Sequence, residues 1–151
     1  MIAIEHAAAF PLSKMGLTRF LNRARQAAGL DGDVDVLLTD DASLRRLNRS
    51  FRGKDKATDV LSFPAVENPG GHAGDLAISL DTAARQAAAF GHSLRDEVRI
   101  LMLHGLLHLS GMDHETDGGE MAARERELRC ELRLPTTLIE RAAPTAQRRR
   151  A

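Results

Sequence analysis

The chain has 151 residues, the size of one ordinary domain, and its hydrophobic fraction of 43% is enough for a single core. Lysine plus arginine and aspartate plus glutamate number 21 each, so the net charge neither indicates nor excludes a nucleic-acid partner. A single cysteine, Cys130, excludes an internal disulfide, and the lack of a long apolar stretch or a signal-peptide pattern predicts a cytoplasmic protein without a membrane span.

The first part of the chain alternates strand and helix patterns. Residues 2–4 indicate a short strand, and apolar residues at helical spacing over 17–28 predict a helix that Gly29 ends. Alternation of apolar and polar residues over 34–38 predicts a second strand. These patterns indicate a domain that mixes helices with a sheet.

A short helix and a third strand follow. Asp40 or Asp41 caps the helix, because aspartate favours the N-cap position. Residues 58–63 (TDVLSF) predict a strand closed by Pro64, and the proline- and glycine-rich residues 65–73 predict a loop. The apolar face of the short helix consists of Leu44, Leu47 and Phe51.

The next part of the chain contains a fourth strand and two helices. Asp81 caps an alanine-rich helix that ends at Gly91, and Ser93 caps the following one. Residues 98–109 (VRILMLHGLLHL) are apolar almost all round, which predicts a buried central helix that Gly111 ends. The alternating residues of the fourth strand are Leu76, Ile78 and Leu80.

A last helix is predicted over about 119–132, followed by Pro135. In this order the elements predict an α+β domain with one small sheet of about four strands and about five helices. We assign residues 1–134 to the domain and residues 135–151, which end in three arginines, to a flexible tail. The inner stripe of the last helix consists of Met121, Leu128 and Leu132.

Three of the six histidines fall in the stretch HGLLHLSGMDH. His104 and His108 are four residues apart, so they project from one face of the helix, one turn apart, and offer two imidazoles to one metal ion. Gly111 lets the chain reverse, so that His114 returns as a third ligand. The alternative is a pair of core histidines with separate partners, which is costly to satisfy in an apolar setting.

Three protein ligands and an open fourth position are typical of catalytic zinc. The only cysteine, Cys130, has no motif-like spacing from the histidines that would make it a fourth ligand. Imidazoles also accept nickel, cobalt or iron, so zinc is the first choice among several divalent metals. The stretch resembles the zinc motif of metzincin proteases but has Gly105 in place of their general-base glutamate. A peptidase is therefore disfavoured unless Asp113 or Glu115 takes over the proton.

Six basic residues and one acid, Asp55, lie in the segment 45–56, which we call the basic segment. A local basic face on a neutral protein is the electrostatic footprint of a polyanion partner. A solvated helix face explains the same charges without any partner. The six residues are Arg45, Arg46, Arg49, Arg52, Lys54 and Lys56.

Two long segments resemble the YbeY family of bacterial endoribonucleases. One is the triple-histidine stretch 104–114, in which the family also has glycine after the first histidine. The other is 47–64, LNRSFRGKDKATDVLSFP, and GDLAIS at 74–79 agrees as well. The resemblance reaches to about Leu134.

The resemblance implies a compact α+β fold with a small mixed sheet and a metal in a basic cleft. It implies that His104, His108 and His114 bind the metal and that Arg52 is functionally important. It also implies cleavage of single-stranded RNA in the 3′-end maturation of small-subunit ribosomal RNA and in ribosome quality control. The partners are then ribosomal RNA and the small ribosomal subunit.

The residues agree with this function and leave alternatives open. A guanidinium can donate two parallel hydrogen bonds to a phosphate, so Arg52 would bind the scissile phosphate. The alternative is that Arg52 forms a structural ion pair with Asp55 or Asp59. Three further residues of the basic segment would contact the RNA backbone: Arg49, Lys54 and Lys56.

The main functional alternative is a non-catalytic ribosome-assembly protein whose metal only stabilises the fold. The general base and the oligomeric state stay open.

Overall fold

A computed structural model describes residues 1–5, 12–65 and 71–142, whose helices pack on one mixed sheet. The four strands are β1 (Ile2–Ile4), β2 (Asp33–Thr39), β3 (Val60–Pro64) and β4 (His72–Ser79). The helices are α1 (Lys14–Ala27), α2 (Asp41–Arg52), α3 (Leu80–Phe90), α4 (Leu94–Leu109), α5 (Glu120–Leu132) and α6 (Leu138–Ala142). The predicted α+β class with one small sheet is confirmed, with one helix more than expected.

The sheet is mixed, with strand order β1-β2-β4-β3. β1 and β4 both run parallel to β2, whereas β3 pairs antiparallel with β4. Alternation places Val34, Val36 and Leu38 on the buried face of β2, as the sequence predicts. The edge strand β3 ends at Pro64, a residue that a central strand does not tolerate.

The core lies between this sheet and α4, which is the predicted central helix. Eleven residues of α4 are buried, from Glu97 to Leu109. Gly105 explains the close approach of helix and sheet, since a Cβ there would lie 2.7 Å from Leu76 Cδ2 and 3.3 Å from Ser62 Oγ. The face of α4 that carries Gly105 therefore lies against β3 and β4. Ser93 caps the start of α4, and the chain reverses at Gly111 after its end.

The boundary between β4 and α3 differs from the prediction. Leu80 is the first residue of α3 rather than the last of the strand, and Ser79 is the N-cap, because its hydroxyl accepts a hydrogen bond from Thr82 N. The carboxylate of Asp81, the predicted cap, instead accepts a hydrogen bond from Asp41 N. Serine and aspartate are equally good caps, so the sequence alone did not distinguish them.

Part of the predicted tail belongs to the folded domain. Residues 138–142 form α6, and Ile139 and Arg141 are buried. The physical reason is an ion pair of Arg141 with Glu97 of α4, which no local pattern reveals. Residues 143–151 lie outside the described part of the chain.

No helix among the described residues combines the length and apolarity needed to cross a membrane.

Candidate metal centre

His104 and His108 project from one face of α4, and their Nε2 atoms are 3.1 Å apart. The Nδ1–H of His104 donates to Glu125 Oε2 (2.8 Å), and that of His108 donates to the carbonyl oxygen of Met112 (3.0 Å). Because both acceptors fix the proton on Nδ1, both Nε2 atoms of the neutral rings carry lone pairs. Two lone pairs at this distance repel, and a shared cation relieves that repulsion.

His114 joins the pair through the reversal after α4. Gly111 adopts φ +100°, a conformation that a residue with a side chain rarely takes. The ring centroid of His114 lies 5.1 Å from that of His104 and 5.4 Å from that of His108. Its Nδ1 is buried and has no hydrogen-bond partner among the described residues.

The ligand atoms of the three imidazoles all lie within 4.8 Å of one another, so the group can hold one metal ion. The donor set fits a metal that accepts nitrogen ligands and leaves a coordination position open. The sequence-predicted triad is thus brought together in space.

The turn that carries His114 is held by side-chain oxygens. Asp113 Oδ1 accepts a hydrogen bond from Glu115 N (3.0 Å). Asp117 accepts from the amides of Met121 and Gly119, both at 2.9 Å, and these bonds lower the pKa of Asp117. Since Gly119 has no side chain to cap α5, Asp117 supplies that cap and fixes the position of His114 relative to α5.

Burial lowers the pKa of His108 below 6.5, and the neighbouring His104 and His114 lower it further. The physical causes are the loss of hydration of the charged ring and repulsion between adjacent imidazolium groups. His108 is therefore neutral at neutral pH, which is the form that binds a metal.

The sequence analysis missed Glu125, which lies on α5 and is 1% exposed. Its Oε2 holds His104, and its Oε1 accepts a hydrogen bond from Ile139 N of α6 (3.2 Å). A carboxylate that orients a ligating histidine raises the basicity of the ring and selects its tautomer. The available signal was the helical spacing of Glu125, which falls in the predicted apolar stripe of α5 between Met121 and Leu128.

Arg52 lies at the end of α2 and, together with His104 and His108, lines a cavity of about 500 Å³ that we call the metal cavity. Among the residues that the structure describes, Arg52 forms no ion pair within 4.0 Å. Asp55, one of its expected partners, instead pairs with Arg45 at 2.8 Å and lies 3.9 Å from Arg49. The other lining residues include Thr58, Asp59, Ser62, Asp113 and Glu115.

Three of the other five cations of the basic segment lie around the end of α2 without lining the metal cavity. Arg49, Lys54 and Lys56 are all exposed. The turn that carries the lysines is fixed by Asn48, whose side-chain amide donates to the carbonyl of Lys56 (3.0 Å) and whose own carbonyl accepts from Lys54 N (3.3 Å). These three residues are therefore exposed to solvent near the end of α2, the helix that ends at Arg52.

The peptidase alternative conflicts with the packing of α4. The general-base glutamate of those enzymes would stand at position 105, where Leu76 and Ser62 leave no room for a side chain in the present packing. Asp113 and Glu115 do line the metal cavity, but both are exposed. A side chain at position 105 would therefore require Leu76 to shift, and the glycine favours the close approach of α4 to the sheet.

Comparison with known proteins gives the same picture. A family model described as Endoribonuclease YbeY matches residues 9–133. The chain is 58% identical over 137 residues to the Endoribonuclease YbeY of Koribacter versatilis, covering 91% of this chain and 89% of the relative. It is 57% identical over 111 residues to that of Nautilia profundicola, covering 74% and 80%.

A solved structure is also similar. The solution structure of TM1509 from Thermotoga maritima matches with a TM-score of 0.60 and 29% identity, covering 87% of this chain and 89% of that one. The sequence matches include the histidine stretch 104–114 and the segment 47–64 within the family model. The chain therefore belongs to the YbeY family of endoribonucleases.

Proposed function

We propose that this protein is a zinc-dependent endoribonuclease that cleaves single-stranded RNA during maturation of the 3′ end of small-subunit ribosomal RNA, and in ribosome quality control, in the cytoplasm. The observation that supports it most directly is the grouping of His104, His108 and His114 around one possible metal position, with His104 and His108 lining the cavity that Arg52 also lines. Membership of an endoribonuclease family gives the reaction class.

The proposal assigns His104, His108 and His114 as ligands of one metal ion. Zinc is favoured because it accepts three nitrogen ligands and keeps an open position, and nickel or another divalent metal is the alternative. When bound, zinc supplies Lewis acidity toward the attacking oxygen or the phosphate. Glu125 and the carbonyl of Met112 hold the first two imidazoles in the binding tautomer.

Arg52 is proposed to bind the scissile phosphate and to stabilise the charge that develops in the transition state. A guanidinium without an ion-pair partner in the described residues is available for two parallel hydrogen bonds to phosphate oxygens. The exposed cations Arg49, Lys54 and Lys56 would then contact neighbouring phosphates of the ribosomal RNA. The small ribosomal subunit is the proposed partner because its RNA is the substrate.

The test replaces Arg52 and follows both metal content and turnover. Arg52→Ala should keep the metal of the wild type and lower turnover on a ribosomal RNA fragment by about a hundredfold, the loss expected for one transition-state donor. Arg52→Lys should restore turnover only in part, because an ammonium makes no paired contact. Arg126→Ala, at an exposed arginine of α5, is the matched control. Unchanged turnover in Arg52→Ala would remove this residue from the mechanism.

A further inference from the structure

A second cavity lies on the other side of His104 from the metal cavity and has a volume of about 510 Å³. We call it the Phe90 cavity. His104 and Asp59 line both cavities, and His114 lines the second. A ligand in the Phe90 cavity therefore lies next to whatever occupies the metal cavity. Its remaining walls come from α3 and α6 and consist of Gln86, Phe90, Leu138, Ile139 and Arg141.

Phe90 gives this cavity an accessible aromatic ring. It is the last residue of α3 and is 46% exposed, whereas Phe20 of α1 is fully buried. The guanidinium carbon of Arg141 lies 4.4 Å from the centre of the Phe90 ring. Because Arg141 is itself anchored to buried Glu97, the contact restricts where the ring can stand.

The polar edge of the cavity is fixed by hydrogen bonds. The side-chain amide of Gln86 donates to Asp59 Oδ2 (3.3 Å) and accepts from Arg141 Nη2 (3.1 Å). Asp59 Oδ1 accepts from Val60 N (2.8 Å). These bonds orient the Gln86 amide, which keeps a second N–H and a second lone pair for a ligand. An aromatic face beside an oriented amide is the combination that recognises an unstacked nucleobase.

We propose that the Phe90 cavity binds one unstacked base of the RNA, next to the phosphate held in the metal cavity. The base stacks on Phe90, and the Gln86 amide contacts its edge. This inference rests on the proposed ribonuclease function and adds a positioning site to it. Stacking on a single aromatic ring is tolerant of sequence but requires a base that is free of a duplex, so the site selects single-stranded RNA.

The chain contains no tryptophan or tyrosine, so Phe90→Trp introduces a single fluorescent indole at the proposed site. Titration of the zinc-loaded variant with 2′-O-methyl octauridylate, which resists attack by a ribose hydroxyl, should quench this fluorescence. Met15→Trp is the matched control, because Met15 of α1 is 69% exposed and lines neither the metal cavity nor the Phe90 cavity. Its indole should not respond at the same oligonucleotide concentrations.

A second variant measures the contribution of the ring. Phe90→Leu keeps an apolar side chain without an aromatic face and should weaken binding of the oligonucleotide about tenfold, the loss expected for one stacked base. Met15→Leu, at the control position, should bind like the wild type, and thermal melting checks that both variants are folded.

Two outcomes overturn the inference, and they are distinguishable. Wild-type cleavage and binding, together with an unquenched Phe90→Trp and unweakened Phe90→Leu, would reject the base site and leave the ribonuclease function intact. A wild type that neither binds nor cleaves RNA would reject both.

Discussion

At the scale of single residues, the metal centre depends on which ring nitrogen holds the proton. The carbonyl of Met112 and the carboxylate of Glu125 both require a proton on Nδ1, which leaves the Nε2 lone pairs of His104 and His108 3.1 Å apart. Without a cation this arrangement is repulsive, so the protein without metal is less stable than the loaded form. Metal binding and folding are therefore coupled.

Glu125→Gln tests this coupling at its most buried point. The single amide oxygen accepts from either His104 or Ile139 N, whereas the carboxylate accepts from both, and the loss of the negative charge lowers the basicity of the ring. We expect metal affinity to fall by about 10- to 100-fold, as measured by competition with a chelator. Glu127→Gln, on the exposed side of α5, is the control and should bind metal like the wild type. Equal affinities in the two variants would contradict a supporting role for Glu125.

The sequence predicted the histidine triad because its spacing is set by helix geometry and by one glycine. It did not predict Glu125, which reaches His104 from a helix 21 residues further along the chain. Such a contact depends on how α5 packs on α4, and the spacing of residues within one element does not contain that information. The same holds for Arg52, because its expected ion-pair partner Asp55 pairs with Arg45 instead.

At the scale of elements, α6 is held to the domain by a buried network. Glu97 of α4 is 0% exposed and accepts hydrogen bonds from Arg141 and from His92 (2.7 Å to its Oε1 in each case). A buried carboxylate that loses its charged partner carries a large desolvation penalty. The short helix is thus stabilised through this network and the burial of Ile139.

Arg141→Ala should lower the free energy of unfolding by about 3 kcal/mol, because Glu97 stays buried with His92 as its remaining partner among the described residues. Urea denaturation measures the change. Arg126→Ala, at an exposed position, should change it by less than about 0.5 kcal/mol. A loss in Arg141→Ala no larger than in this control would show that the network does not stabilise the fold.

A second element contact involves Asp41, which ties the start of α2 to the start of α3. Burial alone raises the pKa of Asp41, but hydrogen bonds from Ser79, Thr82 and Arg85 outweigh it and leave the pKa below its ordinary value of 3.8. The unfolded chain therefore takes up this proton more readily than the folded one. The resulting stabilisation is complete above pH 3.8 and is lost as the pH falls through the lower folded value.

Asp41→Asn should lower the free energy of unfolding at pH 7 by about 1 kcal/mol, since it removes charge-assisted hydrogen bonds. It should also lose less stability than the wild type between pH 5 and pH 3, because the titrating group is gone. Urea denaturation at the two pH values gives both quantities. An acid-induced loss as large in the variant as in the wild type would exclude Asp41 as a source of the pH dependence.

The boundaries of elements were the least predictable part of the fold. The succession of strands and helices along the chain and the central position of α4 followed from hydrophobic period and length. The end of β4 did not, because Ser79 and Asp81 compete for the cap and a contact from α2 decides between them. α6 was missed because its five residues are too few to show a helical period.

At the scale of the whole molecule, a chain of zero net charge carries the exposed cations Arg49, Lys54 and Lys56 around the end of α2, where Arg52 lines the metal cavity. If Arg49, Lys54 and Lys56 contact RNA phosphates, replacing all three by alanine should reduce the slope of log affinity against log salt by about 2 for a single-stranded ligand. Fluorescence anisotropy at several salt concentrations measures the slope. An unchanged slope would assign these cations to a solvated surface.

The central claim is that the three histidines hold a metal ion and that cleavage of RNA by this protein depends on that ion. The most direct test compares zinc-loaded wild type with His108→Ala, purified identically, on a structured fragment of ribosomal RNA with single-stranded ends. The account predicts cleavage by the wild type, loss of bound metal in the variant, and no cleavage by the variant. Equal cleavage by both proteins would contradict the claim, and so would a folded, metal-loaded wild type that leaves the RNA intact both alone and on small ribosomal subunits.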